Sequence, residues 1–121
     1  MIIPTLIVRD VTEAVDFLTK VLDFTCASMW PEDQPFYGVL TRGADELHVA
    51  LNSSTSAKGA SSAIVVCDNV DGLFESFRKR GLSVPARPES PVHESPTDQS
   101  WGTREVYLTD PSGNTLIYQQ R

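Results

Sequence analysis

An α+β fold of two βαβββ modules in tandem, forming a curved mixed β-sheet cavity with the helices outside, is what these 121 residues predict. Three features lead there: a strand–helix opening that recurs, three strand candidates after each helix, and an Asp-Pro-Ser-Gly-Asn turn at residues 110–114. At this length the chain is one domain, able to bury a core without disulfide or metal staples.

The first unit opens with a short strand, Leu6–Asp10, that runs into a helix. Asp10 and Glu13 have capping-box spacing, with aspartate in place of Ser or Thr. Val11, Ala14, Val15, Leu18, Val21 and Leu22 then recur at helical spacing and form one apolar face. A shift of 58 residues brings up the same pattern: strand Ile64–Asp68, a helix start at Asp68 and Asp71, and the stripe Val70, Leu73, Phe74 and Phe77. Asp23-Phe24 corresponds to Gly81-Leu82, where each helix stops; Gly81 suits the left-handed stop position.

The strands that follow are Phe24–Trp30, Phe36–Arg42 and Glu46–Asn52 in the first half. In the second half they are Leu82–Arg87, Arg104–Thr109 and Thr115–Gln120. The offset rises to 69, pairing Val39 with Leu108, Leu47 with Leu116 and Val49 with Tyr118. The excess lies in residues 88–100, too rich in Pro and Ser for regular structure, and long loops of this kind tend to be functional or mobile. Between Thr109 and Thr115, Pro111 presets the turn, and Gly113 or Asn114 can take a positive φ. The first half is residues 1–52, the Ser-, Ala- and Gly-rich stretch 53–62 is a linker, and the second half is residues 63–121. Each half is too small to close its own core, so the two sheets are expected to pair around a shared cavity.

Composition narrows the function classes. A net charge of −6 and a pI near 4.7 argue against nucleic acid, which needs a basic footprint. The same charge favours a cationic ligand or simply keeps the protein in solution. No apolar run approaches the ~18–20 residues that cross a bilayer. The apolar start ends at Arg9-Asp10 and lacks a basic leader, so it reads as a first strand and not as a signal peptide. Cys26 and Cys67, with no CxxC spacing, read as buried free thiols of a cytoplasmic protein.

No nucleophile–base pair is legible: no serine sits in a G-x-S-x-G elbow, and neither cysteine has a His or basic run beside it. His48, in Leu47-His-Val-Ala-Leu51, is either a hydrogen-bonded cavity histidine or a polar anchor for a ligand, whereas His93 reads as solvated. Trp30, Phe36, Tyr37 and Trp101 lie at strand ends or beside loops, and core packing would explain any one of them. Trp101 differs, because it follows the polar run Thr97–Ser100 and precedes Gly102, at the lip of the long loop. Glu32, Asp33 and Asp98 are either solvated charges or an attraction for a cation.

The duplicated βαβββ pattern resembles the glyoxalase / bleomycin resistance / extradiol dioxygenase superfamily, the vicinal oxygen chelate fold. Pro4-x-Leu6-x-x-Arg9-Asp10-Val11-x-x-Ala14-Val15-x-Phe17, Phe36-x-Gly38-Val39, Trp101-Gly102-x-Arg104-Glu105 and Asp110-Pro-x-Gly113-Asn are similar to its bleomycin resistance members. The resemblance spans nearly the whole chain; Asp23, where the family has Gly, is a departure at the helix stop. Enzymes of the superfamily hold a divalent metal at four repeated positions, which fall here at Ile3, His48, Ser61 and Ile117. Two are aliphatic and only His48 is a good ligand, so no metal, cofactor or catalytic residue is expected.

The resemblance then implies a non-enzymatic cytoplasmic protein that sequesters an aromatic, cationic, bleomycin-like compound as an antibiotic-resistance device. It implies a homodimer with pockets at the interface, and no nucleic-acid or membrane partner. Trp101 and Phe36 would stack on the ligand, helped by Trp30 and Tyr37, with His48 and Asp98 as polar groups. Gly102, Arg104 and Ile117 complete the ligand-binding set. The alternatives are a metal-dependent glyoxalase- or dioxygenase-type enzyme, and a binder of a biosynthetic intermediate.

Overall fold

The computed structural model describes residues 1–52 and 59–121; most of the expected linker, residues 53–58, lies outside the described residues. The first half comprises β1 (Thr5–Val8), α1 (Val11–Lys20), β2 (Thr25–Trp30), β3 (Tyr37–Arg42) and β4 (Asp45–Leu51). The second comprises β5 (Ser62–Cys67), α2 (Val70–Lys79), a 3-10 turn at Pro91–His93, β6 (Thr97–Asp98), β7 (Arg104–Thr109) and β8 (Thr115–Gln120). The strands form two four-stranded sheets of the same order, β1-β4-β3-β2 and β5-β8-β7-β6. In each, the first and last strands of the half pair in parallel and the other pairings are antiparallel. The predicted α+β duplication is therefore the fold.

The repeat has a different register from the one its sequence suggests. Leu6 pairs with Val49 and Val65 with Tyr118, so the opening strands are related by 59 residues, not 58. The helices obey the same offset, and their caps show why. Asp10 accepts from the Glu13 amide at 2.8 Å, and Asn69, not Asp68, accepts from the Gly72 amide at 3.0 Å. Glu13 does not reach back to close a capping box; its carboxylate turns to the Arg9 guanidinium. One residue is lost at the helix stops, where Asp23 and Gly81 both have positive φ, 65° and 101°. Asp is among the few non-glycine residues that visit this region at modest cost. Leu40 opposite Leu47 then matches Leu108 opposite Leu116, so Leu40, not Val39, is the counterpart of Leu108.

The second correction concerns Leu82–Arg87, which forms no strand. Leu82 and Val84 do pack against the core, so the apolar alternation is real. Pro85 and Pro88, however, offer no N–H to a ladder, and the place beside β7 is taken by β6 from the long Pro- and Ser-rich segment. That segment is thus more ordered than its composition implies: its 3-10 turn lies against β7, and β6 closes the sheet edge.

A single core cluster draws on both halves, including Leu6, Val11, Leu18, Val49, Phe77, Val106 and Tyr118. Gly38 permits the close seat of α1 on β3, since a Cβ there would stand 2.9 Å from Val49 Cγ2 and 3.3 Å from Val15 Cγ2. The turn at 110–114 is a hairpin whose positive φ falls on Gly113, at 88°. It also fastens the halves together. Asn114 Nδ2 donates to the Ile7 carbonyl at 2.7 Å, and Asn114 Oδ1 accepts from the Ser61 amide at 3.1 Å. Ser61 Oγ accepts from the Ile7 amide, and Ser112 Oγ from the Arg9 amide. Cys26 and Cys67 are unpaired and only half-buried, Cys67 on a strand whose burial alternates residue by residue and Cys26 beside the register shift of β2. Partial burial still pushes the Cys67 thiol up.

Candidate functional site

Alternation along the strands separates a face covered by the helices from one that is not. On β3, Gly38 and Leu40 are buried toward α1, which sends Tyr37 and Val39 to the helix-free face. On β4, Leu47 and Val49 are buried, which sends Glu46, His48 and Ala50 to the same face. Three of these side chains form a chain of short hydrogen bonds: Tyr37 Oη lies 2.6 Å from His48 Nδ1, and His48 Nε2 lies 2.6 Å from Glu46 Oε2. Trp30 is the cross-strand partner of Tyr37, and its ring meets Phe36 edge-on at 4.8 Å between centroids. Trp30 is 66% exposed and Phe36 is also exposed, so these rings do not serve the core. The structure thus gathers Trp30, Phe36, Tyr37 and His48 on one face, and adds Glu46.

The second half builds a different arrangement. Glu105 on β7 is 2% exposed, yet its carboxylate is heavily supplied with donors. Thr103 Oγ1 and Gln119 Nε2 each donate to Oε2 at 2.6 Å, and the Trp101 indole N–H donates to it at 3.3 Å. Burial alone would push this carboxyl up; the hydrogen bonds from Thr103, Gln119, Trp101 and Tyr107 outweigh it and hold the group below the usual carboxylate range. Trp101 is 63% exposed, so its ring is presented outward while its N–H is anchored beneath. Gly102, with φ 95°, closes the turn between β6 and β7, and its amide bonds the Gln99 carbonyl. Ile117, opposite Tyr107 on β8, is half-buried on the helix-free face.

Arg104 and Asp98 serve the framework. Arg104 makes two hydrogen bonds of 2.9 Å to Asp71 at the start of α2 and one of 3.1 Å to Asp98. The guanidinium is held above its ordinary value, chiefly by Asp71, and Asp71 is held below the usual carboxylate range by Arg104. Both Arg104 and Asp98 nevertheless border an open groove of about 340 Å³ with Gly102, Thr103 and Gln120. His93 is not simply solvated: its ring lies against Tyr107 and its Nδ1 is 2.7 Å from Ser90 Oγ. A more apolar cleft of about 310 Å³ lies between Met1, Ile2 and Pro4, Phe24, the β3–β4 turn and β5, and Glu46 stands on its border.

A family model, that of the glyoxalase/bleomycin resistance protein/dioxygenase superfamily, matches residues 3–118. The chain belongs to that superfamily. A search of the curated proteins finds no match to the sequence. Among solved structures, this superfamily member is similar to the bleomycin-binding protein of bleomycin-producing Streptomyces verticillus, complexed with copper(II)-bleomycin. That match has a TM-score of 0.76 at 21% identity, over 97% of this chain and 92% of the other. It is also similar to the bleomycin resistance determinant encoded on the transposon Tn5, at TM-score 0.80 and 18% identity over 100% and 97% of the two chains. A glyoxalase/bleomycin resistance protein/dioxygenase from Nocardioides matches at TM-score 0.71 and 18% identity, over 98% of this chain and 80% of the other. At these identities the likeness is one of fold.

At the four positions where superfamily enzymes are expected to hold a metal, the donors are sparse. Ile3 and Ile117 offer none, Ser61 is tied into the joint between the halves, and both ring nitrogens of His48 are engaged. The corrected offset puts Ser62 in place of Ser61, which adds only a hydroxyl. Among the described residues no three His, Cys, Asp or Glu side chains are grouped to share an ion.

Glu46 was not singled out in the sequence, and Glu105 stands there only as the last residue of the Trp101-Gly102-x-Arg104-Glu105 motif, without a role of its own. Glu46 is signalled by its spacing of two from His48 on a strand, which places both on one face. Glu105 is signalled the same way by Thr103, and Gln119, its cross-strand partner, becomes visible only once β7 and β8 are in register.

Proposed function

We propose that this superfamily member is a non-enzymatic binding protein that captures an aromatic, cationic compound of the bleomycin type and so confers resistance by sequestration. The observation that carries this reading is Trp101, an exposed indole whose N–H is fixed by a buried carboxylate. An anchored ring loses little freedom when a flat ligand stacks on it, and such a pair is worth on the order of 1 kcal/mol beyond area burial. The anion behind the ring favours a cation in front of it. Trp30 and Phe36 supply a second aromatic surface. The solved bleomycin-bound relative of the same fold supports the choice of ligand class. The donor set at the metal positions does not fit a divalent ion, which supports binding over metal-dependent chemistry.

In this reading the protein is a cytoplasmic homodimer with its pockets between subunits and Trp101 facing the partner. Exposed Met1, Ile2, Ile64 and Val66 support that assembly, because they surround the apolar cleft along the free edge of β5. The test combines tryptophan fluorescence with thermal shift against bleomycin, other polycyclic cations and a divalent-metal panel. Quenching and a raised Tm with the cations are expected, both lost in Trp101→Ala. No response to any cation, or one equivalent of tightly held metal in the purified protein, would overturn the reading. Sedimentation should find a dimer; a monomer at micromolar concentration would refute the interface pocket.

A further inference from the structure

Glu46, His48 and Tyr37 do more than stand together on the helix-free face; their order fixes where each proton goes. An ionised carboxylate can only accept, so the 2.6 Å contact from Glu46 Oε2 requires the proton on His48 Nε2. In the neutral imidazole Nδ1 is then a bare acceptor, and the 2.6 Å contact with Tyr37 is filled by the phenol's only proton. What Tyr37 presents to anything approaching its oxygen is therefore lone pairs alone.

We infer that the Glu46–His48–Tyr37 chain sets the polarity of the binding face, so that the ligand group meeting Tyr37 is a hydrogen-bond donor: an amine, amidine or amide N–H. A carbonyl or carboxylate at that point faces lone pairs and gains no bond, while losing its hydration. The neighbouring aromatic surface says where the rest of such a ligand lies, since Trp30 is the direct cross-strand partner of Tyr37. The class selected is a flat aromatic system carrying amino or amidine groups on its edge. This rests on the binding reading above and adds to it a rule of discrimination that aromatic stacking alone does not supply. Glu46 and His48 act here as positioning residues, through Tyr37.

The chain can be read without a ligand. Nitrogen-15 NMR of the imidazole rings distinguishes the two neutral tautomers, and His48→Gln assigns the signals between His48 and His93. At pH 7.5 His48 is expected as the Nε2–H tautomer. In Glu46→Gln the side-chain amide can donate to Nε2, so the Nδ1–H form gains population and the phenol proton turns outward. The second arm uses two neutral tricyclic probes on one ring system, 2-aminoanthracene as donor and 2-acetylanthracene as acceptor. Wild type is expected to favour the amine roughly fivefold, the scale of one neutral hydrogen bond. Glu46→Gln should shrink or reverse that ratio, and Tyr37→Phe should abolish it.

An imidazolium or Nδ1–H tautomer in wild type overturns the inference, as does a preference that survives Tyr37→Phe. If both probes bind without preference, the polarity rule fails and the binding reading stands. If neither probe binds while a polycyclic cation still does, the polarity rule fails and the binding reading stands; if no cation binds either, both fail.

Discussion

Glu105 shows how much one side chain can be asked to do. It is buried, it accepts from three donors through a single oxygen, and it holds Trp101 in place. Replacing it by Gln weakens charge-assisted bonds to neutral ones, at a cost of about 2 kcal/mol at pH 7. The pH dependence follows from its depressed folded-state value. The carboxylate contributes its full stability above the unfolded value of about 4.3 and loses it as pH falls through the folded value. Urea denaturation should therefore find Glu105→Gln less stable than wild type at pH 7, with the gap closing below about pH 4. A gap that stays constant with pH would contradict the account. At this scale the sequence was readable wherever spacing alone decides: Trp101 stands out from its polar neighbours, and His48 from its apolar strand. Arg104 was opaque, because its partner Asp71 is 33 positions away on α2.

Among elements, the helices were legible and one strand was not. Apolar spacing found α1 and α2 because each buries a stripe in the shared core. Capping was misread by one residue in the second copy, where Asp68, Asn69 and Asp71 crowd one stretch and only Asn69 takes the cap. Asn69→Ala should cost about 1 kcal/mol, whereas Asp68→Ala should change stability by less than about half of that. Chemical denaturation of the two variants separates them, and equal losses would return the cap to Asp68. The strand expected at 82–87 shows the limit of alternation as a signal. Leu82 and Val84 satisfy the core without a ladder, since burial depends on one face and pairing on the backbone. The two residues of β6 are too few to leave a periodic trace, and they come from a segment whose prolines advertise a loop.

For the whole molecule, the duplication was the readable part and the joint between its copies was not. A turn with Asp-Pro-x-Gly-Asn chemistry announces a hairpin, but nothing local says that Asn114 will reach the carbonyl of Ile7. Asn114 is fully buried, and Asn114→Ala would leave the Ile7 carbonyl, the Ser61 amide and an oxygen of Asp110 without this partner. A loss of about 3 kcal/mol is expected, read as a lower urea midpoint with a single transition. A loss below about 0.5 kcal/mol would mean that the joint is held elsewhere.

That joint has a consequence for how the protein is made. The contact from Asn114 to Ile7 spans 107 positions, so β1 is secured by a turn that leaves the ribosome long after it. Until residue 114 emerges, the exposed side of β1 waits with its backbone unsatisfied and its apolar neighbours uncovered. The first half can collapse early around α1, but the joint between the halves closes only once residue 114 is available, and the two halves then settle together. A nascent chain stalled before Asp110 should be protease-sensitive along its entire length, including the half that is already complete in sequence.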